Sequence, residues 1–250
     1  MVFFKAVTCA LIMNKKALFG LLIATALPLI GFFIVKQYSK DAVHMPGRYF
    51  FDSVVTVQKN GKLTSDTIWH RVKNLRMVNQ LGKEVYLDSI KNKILVIDFF
   101  FAKCPTICPG LARNMRRLQA SYSNGRDTMV QFISISIDPE RDSVPALRKF
   151  ADRYTNNHDS WWFVTGNKAE IYDFALNEMK ANVADVNADT AFPHTENFFL
   201  LDRDHVIRGW YNGFDTVKQA TLVKNIPLLM LEKNRKRTFG QFLKELFSRS

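Results

Sequence analysis

The chain has 250 residues, of which 47% are hydrophobic and 13% aromatic. This is enough apolar material for one domain of ordinary size with attachments, and it excludes a globally disordered protein. The formal net charge of +12 would suit either nucleic acid or an anionic membrane surface. No zinc finger, RNA-binding signature or continuous Arg/Lys face appears in the sequence, so we predict no nucleic-acid partner.

The first predicted element is a transmembrane helix. Residues 17–35 are nineteen positions without a charge, and in a helix they would be about 28 Å long, close to the ~30 Å hydrocarbon core of a bilayer. Lys15 and Lys16 directly precede them, which predicts that residues 1–16 stay in the cytoplasm and that the rest is exported. A cleaved signal peptide is the alternative, but no Ala-x-Ala cleavage site follows, so an uncleaved anchor is favoured.

The sequence after the apolar segment predicts an exported α/β domain at 49–232, which is joined to that segment by a polar linker at 36–48. Two strands at 49–57 and 63–72 surround an Asn-Gly turn, and a second hairpin lies near 79–85. The later elements are a buried strand at 94–101, a helix at 109–122, a strand at 129–137, a helix at 144–154, a strand at 161–165, a helix at 168–176, a hairpin at 197–201 and 205–211, and a helix at 216–232 bent or interrupted at Pro227. This order predicts a thioredoxin-like α/β sandwich with added N-terminal β-hairpins.

The tail at 233–250 forms a separate predicted segment. Its apolar residues fall on one helical face, and basic residues surround them: Phe239, Phe242, Leu243, Leu246 and Phe247 are the apolar set. The pattern predicts either an amphipathic helix lying on a membrane surface or a helix packed on its own domain.

The strongest chemical motif is a pair of cysteines, Cys104 and Cys108, at the end of the buried strand. If Cys104 stands at the helix entrance, Cys108 lies one turn further along the same face, with Cα atoms about 6 Å apart. Such a pair can form a disulfide or hold one metal ion, and a helix N-terminus lowers the pKa of a thiol in either case. Soft thiolates select copper(I), zinc or iron–sulfur chemistry. Cys9, before the apolar segment, is predicted to have no role.

A metal held by two cysteines needs a further ligand, and histidine is the usual one. His194 is the best placed, because it directly precedes the strand at 197–201, in a loop that faces the cysteine loop in a thioredoxin-like fold. Its alternative role is to hydrogen-bond that loop. The other four histidines suit solvated or capping positions: His44, His70, His158 and His205. Asp138 is predicted either to begin the helix after the strand at 129–137 or to lie beside the metal and orient its ligands.

Three blocks, FFFAKCPTICP, SISIDPERD and FPHTENFFLLD, resemble the Sco/SenC family of thioredoxin-like copper proteins over about residues 66–232. The resemblance implies that Cys104, Cys108 and His194 bind copper. It also implies a role in maturing the copper centre in subunit II of cytochrome c oxidase, by delivering copper, by reducing the acceptor's cysteines, or both. The chain departs from the family in its long strand region at 49–72 and in its tail after residue 232.

We therefore predict a membrane-anchored copper chaperone in a bacterial inner membrane, with its C-terminal domain in the periplasm. The predicted partners are cytochrome c oxidase subunit II or another exported cuproprotein, a thiol reductant protein, and membrane lipid. A membrane-tethered thiol–disulfide reductase that does not need copper is the main alternative. A peroxiredoxin-like peroxidase and a copper or redox sensor are the others.

Overall fold

The computed structural model describes residues 15–39, 45–59, 62–122, 129–181 and 195–232. The chain divides into two compact units, Met1–His44 and Met45–Ser250. The predicted tail at 233–250, the N-terminal segment 1–14 and His194 lie outside the described residues.

The first unit contains helix α1, Lys15–Ser39. Its Phe19–Gln37 stretch has a mean hydropathy of 2.1 and is exposed along its length. By length and composition, α1 is able to cross a membrane, as predicted for 17–35. The helix continues to Ser39, so the first four positions of the predicted linker at 36–48 are helical.

The second unit is built on a mixed β-sheet. Its strands are β1 Phe51–Lys59, β2 Lys62–Trp69, β3 Arg76–Asn79, β4 Glu84–Tyr86, β5 Ile94–Phe100, β6 Val130–Ser136, β7 Trp161–Thr165, β8 Asn197–Leu201 and β9 Ile207–Asn212. Its helices are α2 Cys108–Tyr122, α3 Val144–Ala151, α4 Lys168–Asp173 and α5 Thr216–Leu231. The main sheet has the order β4-β3-β7-β6-β5-β8-β9.

The centre of this sheet explains the hydrophobic runs of the sequence. Strands β5, β6 and β7 are parallel neighbours, while β8 runs antiparallel to β5, and β9 antiparallel to β8. Every residue of β5 and β6 is buried, as expected for strands covered on both faces. On one side, Phe150 of α3 lies 5.1 Å from Phe100 and 5.8 Å from Phe163, measured between ring centroids. The thioredoxin-like prediction is confirmed.

The added N-terminal hairpins are also present. Strands β1 and β2 pair antiparallel in a sheet of their own, and β3 and β4 form a second hairpin at the edge of the main sheet. His70, just after β2, holds the first hairpin in place: its Nδ1 lies 2.7 Å from Asp52 Oδ1, and its Nε2 lies 3.0 Å from Glu178 Oε2. Glu178 is buried at the end of a π-helical turn that continues α4. The helix predicted at 168–176 is therefore α-helical only to Asp173.

Of the two alternatives predicted at Pro227, a bend or an interruption, the interruption is wrong, because α5 runs unbroken from Thr216 to Leu231. Proline lacks an N–H, so it leaves the carbonyl four residues earlier without its helical donor. That carbonyl belongs to Val223, and it accepts a hydrogen bond of 2.9 Å from the Tyr122 hydroxyl of α2. A tertiary contact thus replaces the missing helical bond.

Candidate metal and redox site

The two cysteines lie where β5 leads into α2. The shared helical face expected if Cys104 stood at the helix entrance is not formed. Helix α2 begins at Cys108, and Cys104 lies in the preceding loop. Pro109 explains the difference: in a helix that began at Cys104, its ring would clash with the carbonyl of Pro105. Proline is tolerated only in the first turn, so the helix cannot begin much before Cys108.

Both cysteines are free thiols, and both are buried, with exposed fractions of 5% for Cys104 and 2% for Cys108. The backbone N–H of Cys108 donates a hydrogen bond of 3.3 Å to the Cys104 sulfur. The Thr106 hydroxyl lies 3.9 Å from the same sulfur. The loop itself is held by the Cys104 N–H, which donates to the Phe101 carbonyl at 3.2 Å. The first amide of α2 is therefore directed at a sulfur atom.

These contacts make the two thiols electrostatically unequal. Burial acts to raise the pKa of Cys104, but hydrogen bonds from the Cys108 side chain and amide and from Thr106 outweigh it and lower the pKa. The pKa of Cys108 is strongly raised, first by burial and then by its hydrogen bond to Cys104. Cys104 is therefore the thiol that ionises first, and Cys108 remains protonated and donates to it.

A buried carboxyl group, Asp142, holds the start of the cysteine loop. Its Oδ2 accepts hydrogen bonds from the Ala102 N–H at 3.0 Å and from the Ser136 hydroxyl at 2.5 Å. Burial raises its pKa. Its Oδ1 is one of three buried side-chain atoms in the described residues that have no hydrogen-bond partner. Sequence reasoning missed this residue, although the IDPERD block contains it.

A second buried carboxyl group, Asp98, lies within β5. Burial raises its pKa to about 7, although the Ser134 hydroxyl donates to it at 2.5 Å. Trp161 extends this network by donating from its indole N–H to the Ser134 oxygen at 2.9 Å. The charge of Asp98 contributes to the raised pKa of Cys108. Sequence analysis placed Asp98 in the buried strand without assigning it a role.

The structure places Asp138 in the turn after β6. Its carboxylate is paired with Arg141, and its backbone carbonyl accepts from the Asp142 N–H at 2.9 Å. The turn precedes α3, but Ser143 is the N-cap of that helix, so Asp138 does not itself begin it. A position beside a metal stays a prediction. In the part of the chain that the structure describes, no group of three or more His, Cys, Asp or Glu side chains is arranged to hold a metal ion.

The described histidines contact groups other than the cysteines. His158 lies 3.0 Å from Asp152 Oδ1, and His205 Nε2 lies 3.1 Å from the Ile90 carbonyl. His70 bridges Asp52 and Glu178, as described above. His44 and His194 lie outside the described residues, so the assignment of His194 as a ligand stays a prediction.

A thioredoxin-like sheet with a buried Cys-x-x-x-Cys pair between its strand and helix defines a dithiol protein of the thioredoxin class. The SCO1/SenC family model matches residues 70–229, and the chain belongs to that family. The β1–β2 hairpin and the tail lie outside the matched residues.

Individual relatives agree with this membership. The chain is 33% identical over 167 residues to the SCO1 protein homolog of Bacillus subtilis, covering 66% of this chain and 86% of that protein. The solved structure of BsSco is 33% identical, with a TM-score of 0.57, and the match covers 67% of this chain and 98% of that one. BsSco is described as having a disulfide switch and as a member of the Sco family of cytochrome c oxidase assembly proteins. Bradyrhizobium japonicum ScoI, solved with copper bound, is 24% identical with a TM-score of 0.51, and the match covers 62% of this chain and 99% of that one. That last likeness bears on the fold alone.

Proposed function

We propose that this protein is a membrane-anchored copper chaperone, which binds one copper ion through Cys104, Cys108 and His194 and assists maturation of the copper centre of a respiratory cytochrome c oxidase. The observation that carries the proposal is the pair of buried free thiols joined by an N–H···S hydrogen bond of 3.3 Å. The SCO1/SenC family match, and a relative of 33% identity described as a cytochrome c oxidase assembly protein with a disulfide switch, support the destination and the redox chemistry of the cysteines.

The donor set suits copper. Two thiolates and an imidazole are soft or borderline ligands, of the kind that copper(I) prefers. The two sulfurs belong to described residues. In that part of the chain no third ligand is grouped with them, so the remaining donor would come from the residues that the structure does not describe, which include His194. Asp142 supports the site indirectly, because it fixes the backbone of Ala102, two residues before Cys104.

The redox state of the cysteines would control loading. Oxidation of the two thiols to a disulfide releases two electrons and two protons, and it removes both thiolate ligands. A thiol reductant protein would return those electrons before copper is bound. The lowered pKa of Cys104 favours it as the sulfur at which thiol exchange begins.

We place the protein in a bacterial inner membrane, anchored by α1, with the second unit in the periplasm. The apolar stretch Phe19–Gln37 and the lysines before it support this orientation. The acceptor would be cytochrome c oxidase subunit II or another exported cuproprotein.

Gene deletion tests the cellular role. We expect loss of cytochrome c oxidase activity, restored by the parent gene but not by Cys104→Ser or Cys108→Ser. A matched control is Ser89→Ala, a substitution at an exposed hydroxyl in the turn before β5, which should restore activity fully. Full oxidase activity in the deletion strain at limiting copper would contradict the proposal.

The inequality of the two thiols specifically favours a second candidate, a thiol–disulfide reductase that works without copper. A thiol of lowered pKa followed by a protonated partner is the arrangement that attacks and then resolves a disulfide. The rate at which the chain reduces an oxidised acceptor peptide in metal-free buffer distinguishes the reductase from the copper chaperone. If His194→Ala reduces the peptide as fast as the parent and rescues the deletion strain, the reductase is the better account.

A further inference from the structure

The β1–β2 hairpin has little packing of its own to hold it on the domain. Among its described side chains, only Thr67 and Trp69 are partly buried, and the others are exposed. An isolated two-stranded ribbon is only marginally stable in water. The hairpin also precedes residue 70, where the match to the SCO1/SenC family model begins. Its position therefore depends on the contacts at its base.

His70 lies at the centre of these contacts, directly after β2. Its backbone N–H donates to the Phe50 carbonyl at 3.0 Å. Its ring joins the two sides of the junction, with Nδ1 2.7 Å from Asp52 Oδ1 of β1 and Nε2 3.0 Å from Glu178 Oε2. The Asp52 side chain is 56% exposed, whereas that of Glu178 is 3% exposed. The imidazole thus links the hairpin to a buried carboxylate of the domain.

The protonation state of His70 follows from its two acceptors. An ionised carboxylate only accepts hydrogen bonds, and a neutral imidazole has a single N–H. Burial acts to raise the pKa of Glu178, but hydrogen bonds from the Lys73 ammonium and backbone N–H, with the charges of Lys73 and His70, outweigh it and lower the pKa. Contacts from both ring nitrogens to carboxylates therefore require the imidazolium form, with a proton on each nitrogen.

The charged groups around this ring are unequally supplied with partners. Lys73 Nζ lies 2.7 Å from Glu178 Oε1, and the Lys73 N–H donates to Glu178 Oε2 at 3.1 Å. Asp173 of α4 adds a more distant negative charge, which acts on Lys73. Within the described residues, His70 is the one hydrogen-bond partner of the Asp52 carboxylate. Glu178 is therefore held from two sides, and Asp52 from one.

Loss of one proton from His70 breaks the contact to Asp52 first. Glu178 is buried, and a hydrogen bond left unmade there would cost the most free energy, so the proton on Nε2 is kept. Asp52 is exposed and can be hydrated by water instead, so the proton on Nδ1 is the one released. The lone pair of Nδ1 then faces a carboxylate, and the attraction between hairpin and domain becomes a repulsion.

We infer that His70 is a pH-sensitive latch, which fastens β1 to the domain while both ring nitrogens are protonated and frees Asp52 when Nδ1 loses its proton. The inference goes beyond the proposed function and does not depend on copper. In the proposed periplasmic location, the latch would respond to the pH outside the cytoplasm.

The first part of the test measures the protons on His70 directly. It uses the reduced, metal-free full chain in detergent micelles, with nitrogen-15 in the histidine rings. Nuclear magnetic resonance shifts distinguish protonated from bare ring nitrogens, and the signals lost in His70→Gln identify those of His70. We expect two protonated nitrogens at about pH 5.5, where an ordinary imidazole is charged. Above the midpoint of the titration, only Nε2 should keep its proton.

The second part measures attachment of the hairpin by amide hydrogen exchange in β1. Rates are compared at one pH on each side of the measured midpoint, each relative to denatured chain at the same pH. We expect the relative rate to be about three- to tenfold higher above the midpoint, as for loss of a charged hydrogen bond that is partly exposed. Peptides from β5 and α2 report in the same data that the domain stays folded.

Two substitutions remove one hairpin carboxylate each. Asp52→Asn should abolish the difference between the two pH values, because an amide can accept from imidazolium or donate to the neutral ring. The matched control is Asp66→Asn, at an exposed position of β2, which should keep the difference seen in the parent.

A bare nitrogen on His70 at about pH 5.5 would overturn the inference, because the imidazolium bridge would not exist. Equal relative exchange on both sides of the midpoint would show that attachment does not depend on this proton. A pH difference that persists in Asp52→Asn, or disappears in Asp66→Asn, would assign it to something other than the His70–Asp52 contact. Copper stoichiometry of the same chain reports separately on the proposed chaperone role.

Discussion

The backbone N–H of Cys108 donates to the sulfur of Cys104 across 3.3 Å, so the first amide of α2 stabilises negative charge on a residue that is not in the helix. A helix N-terminus carries partial positive charge from its unpaired N–H groups. Here that charge acts on the loop cysteine, while Cys108 is buried more deeply and remains protonated. The two thiols therefore differ in pKa, although they belong to the same Cys-x-x-x-Cys motif.

This difference predicts unequal alkylation. In the reduced, copper-free chain near neutral pH, iodoacetamide should modify Cys104 well before Cys108, because only the thiolate reacts and the pKa of Cys104 is the lower. Peptide mass spectrometry over a time course measures the two rates. Denatured chain is the control, since both cysteines should then react alike. Faster modification of Cys108 in the folded chain would contradict the assignment.

Asp98 predicts a specific pH dependence of stability. Burial raises its folded-state pKa from 3.8 to about 7, so the native state holds a proton that the unfolded chain has released. The free energy of unfolding should therefore fall as pH rises from about 4 to about 7 and then level off, by about 4 kcal/mol from this residue. Asp98→Asn should remove this fall, because a neutral amide can still accept from Ser134.

Denaturant unfolding of reduced, copper-free chain across this pH range tests the point. Only the difference between parent and Asp98→Asn is interpreted, since other carboxyl groups titrate in the same window. Parallel stability curves for the two chains would show that Asp98 does not titrate as stated.

Asp142 offers a matched pair of substitutions. Asp142→Ala leaves the Ala102 N–H and the Ser136 hydroxyl without their acceptor, and it should cost about 2–4 kcal/mol of unfolding free energy. Asp142→Asn can keep both hydrogen bonds through its amide oxygen, so it should cost much less. We also expect weaker copper binding in the Ala variant alone, because it frees the backbone before Cys104. Equal losses in both variants would show that charge, rather than hydrogen bonding, is what matters at this position.

The fold was largely predictable because its central strands are long and continuously apolar. Strands β5 and β6 end within a residue of their predicted bounds, since the apolar runs stop at Phe101 and Ile137. Helix α2 begins at Cys108, one residue before its predicted start at 109. The condition that Cys104 stands at the helix entrance is not met, because a helical turn before Pro109 would clash with its ring. The continuity of α5 through Pro227 was not predictable, because it depends on a hydroxyl 101 residues away in sequence.

The candidate site was predictable only in part for a similar reason. The cysteines stand out in the sequence because their spacing is local. The contact between Asp142 and Ala102 joins residues 40 positions apart. Such a polar contact leaves no periodic pattern, and Asp142 resembles an ordinary surface charge until the fold brings its partners together.

The measurement that tests the central claim most directly is copper stoichiometry, with the copper(II) absorption spectrum, of the reduced full-length chain beside its His194→Ala variant and its disulfide form. The account predicts one copper per reduced chain, a sulfur-to-copper charge-transfer band that changes in His194→Ala, and no copper on the disulfide form. A well-folded, fully reduced chain that binds no copper, or a Cys104→Ser, Cys108→Ser double variant that binds as much as the parent, would contradict it.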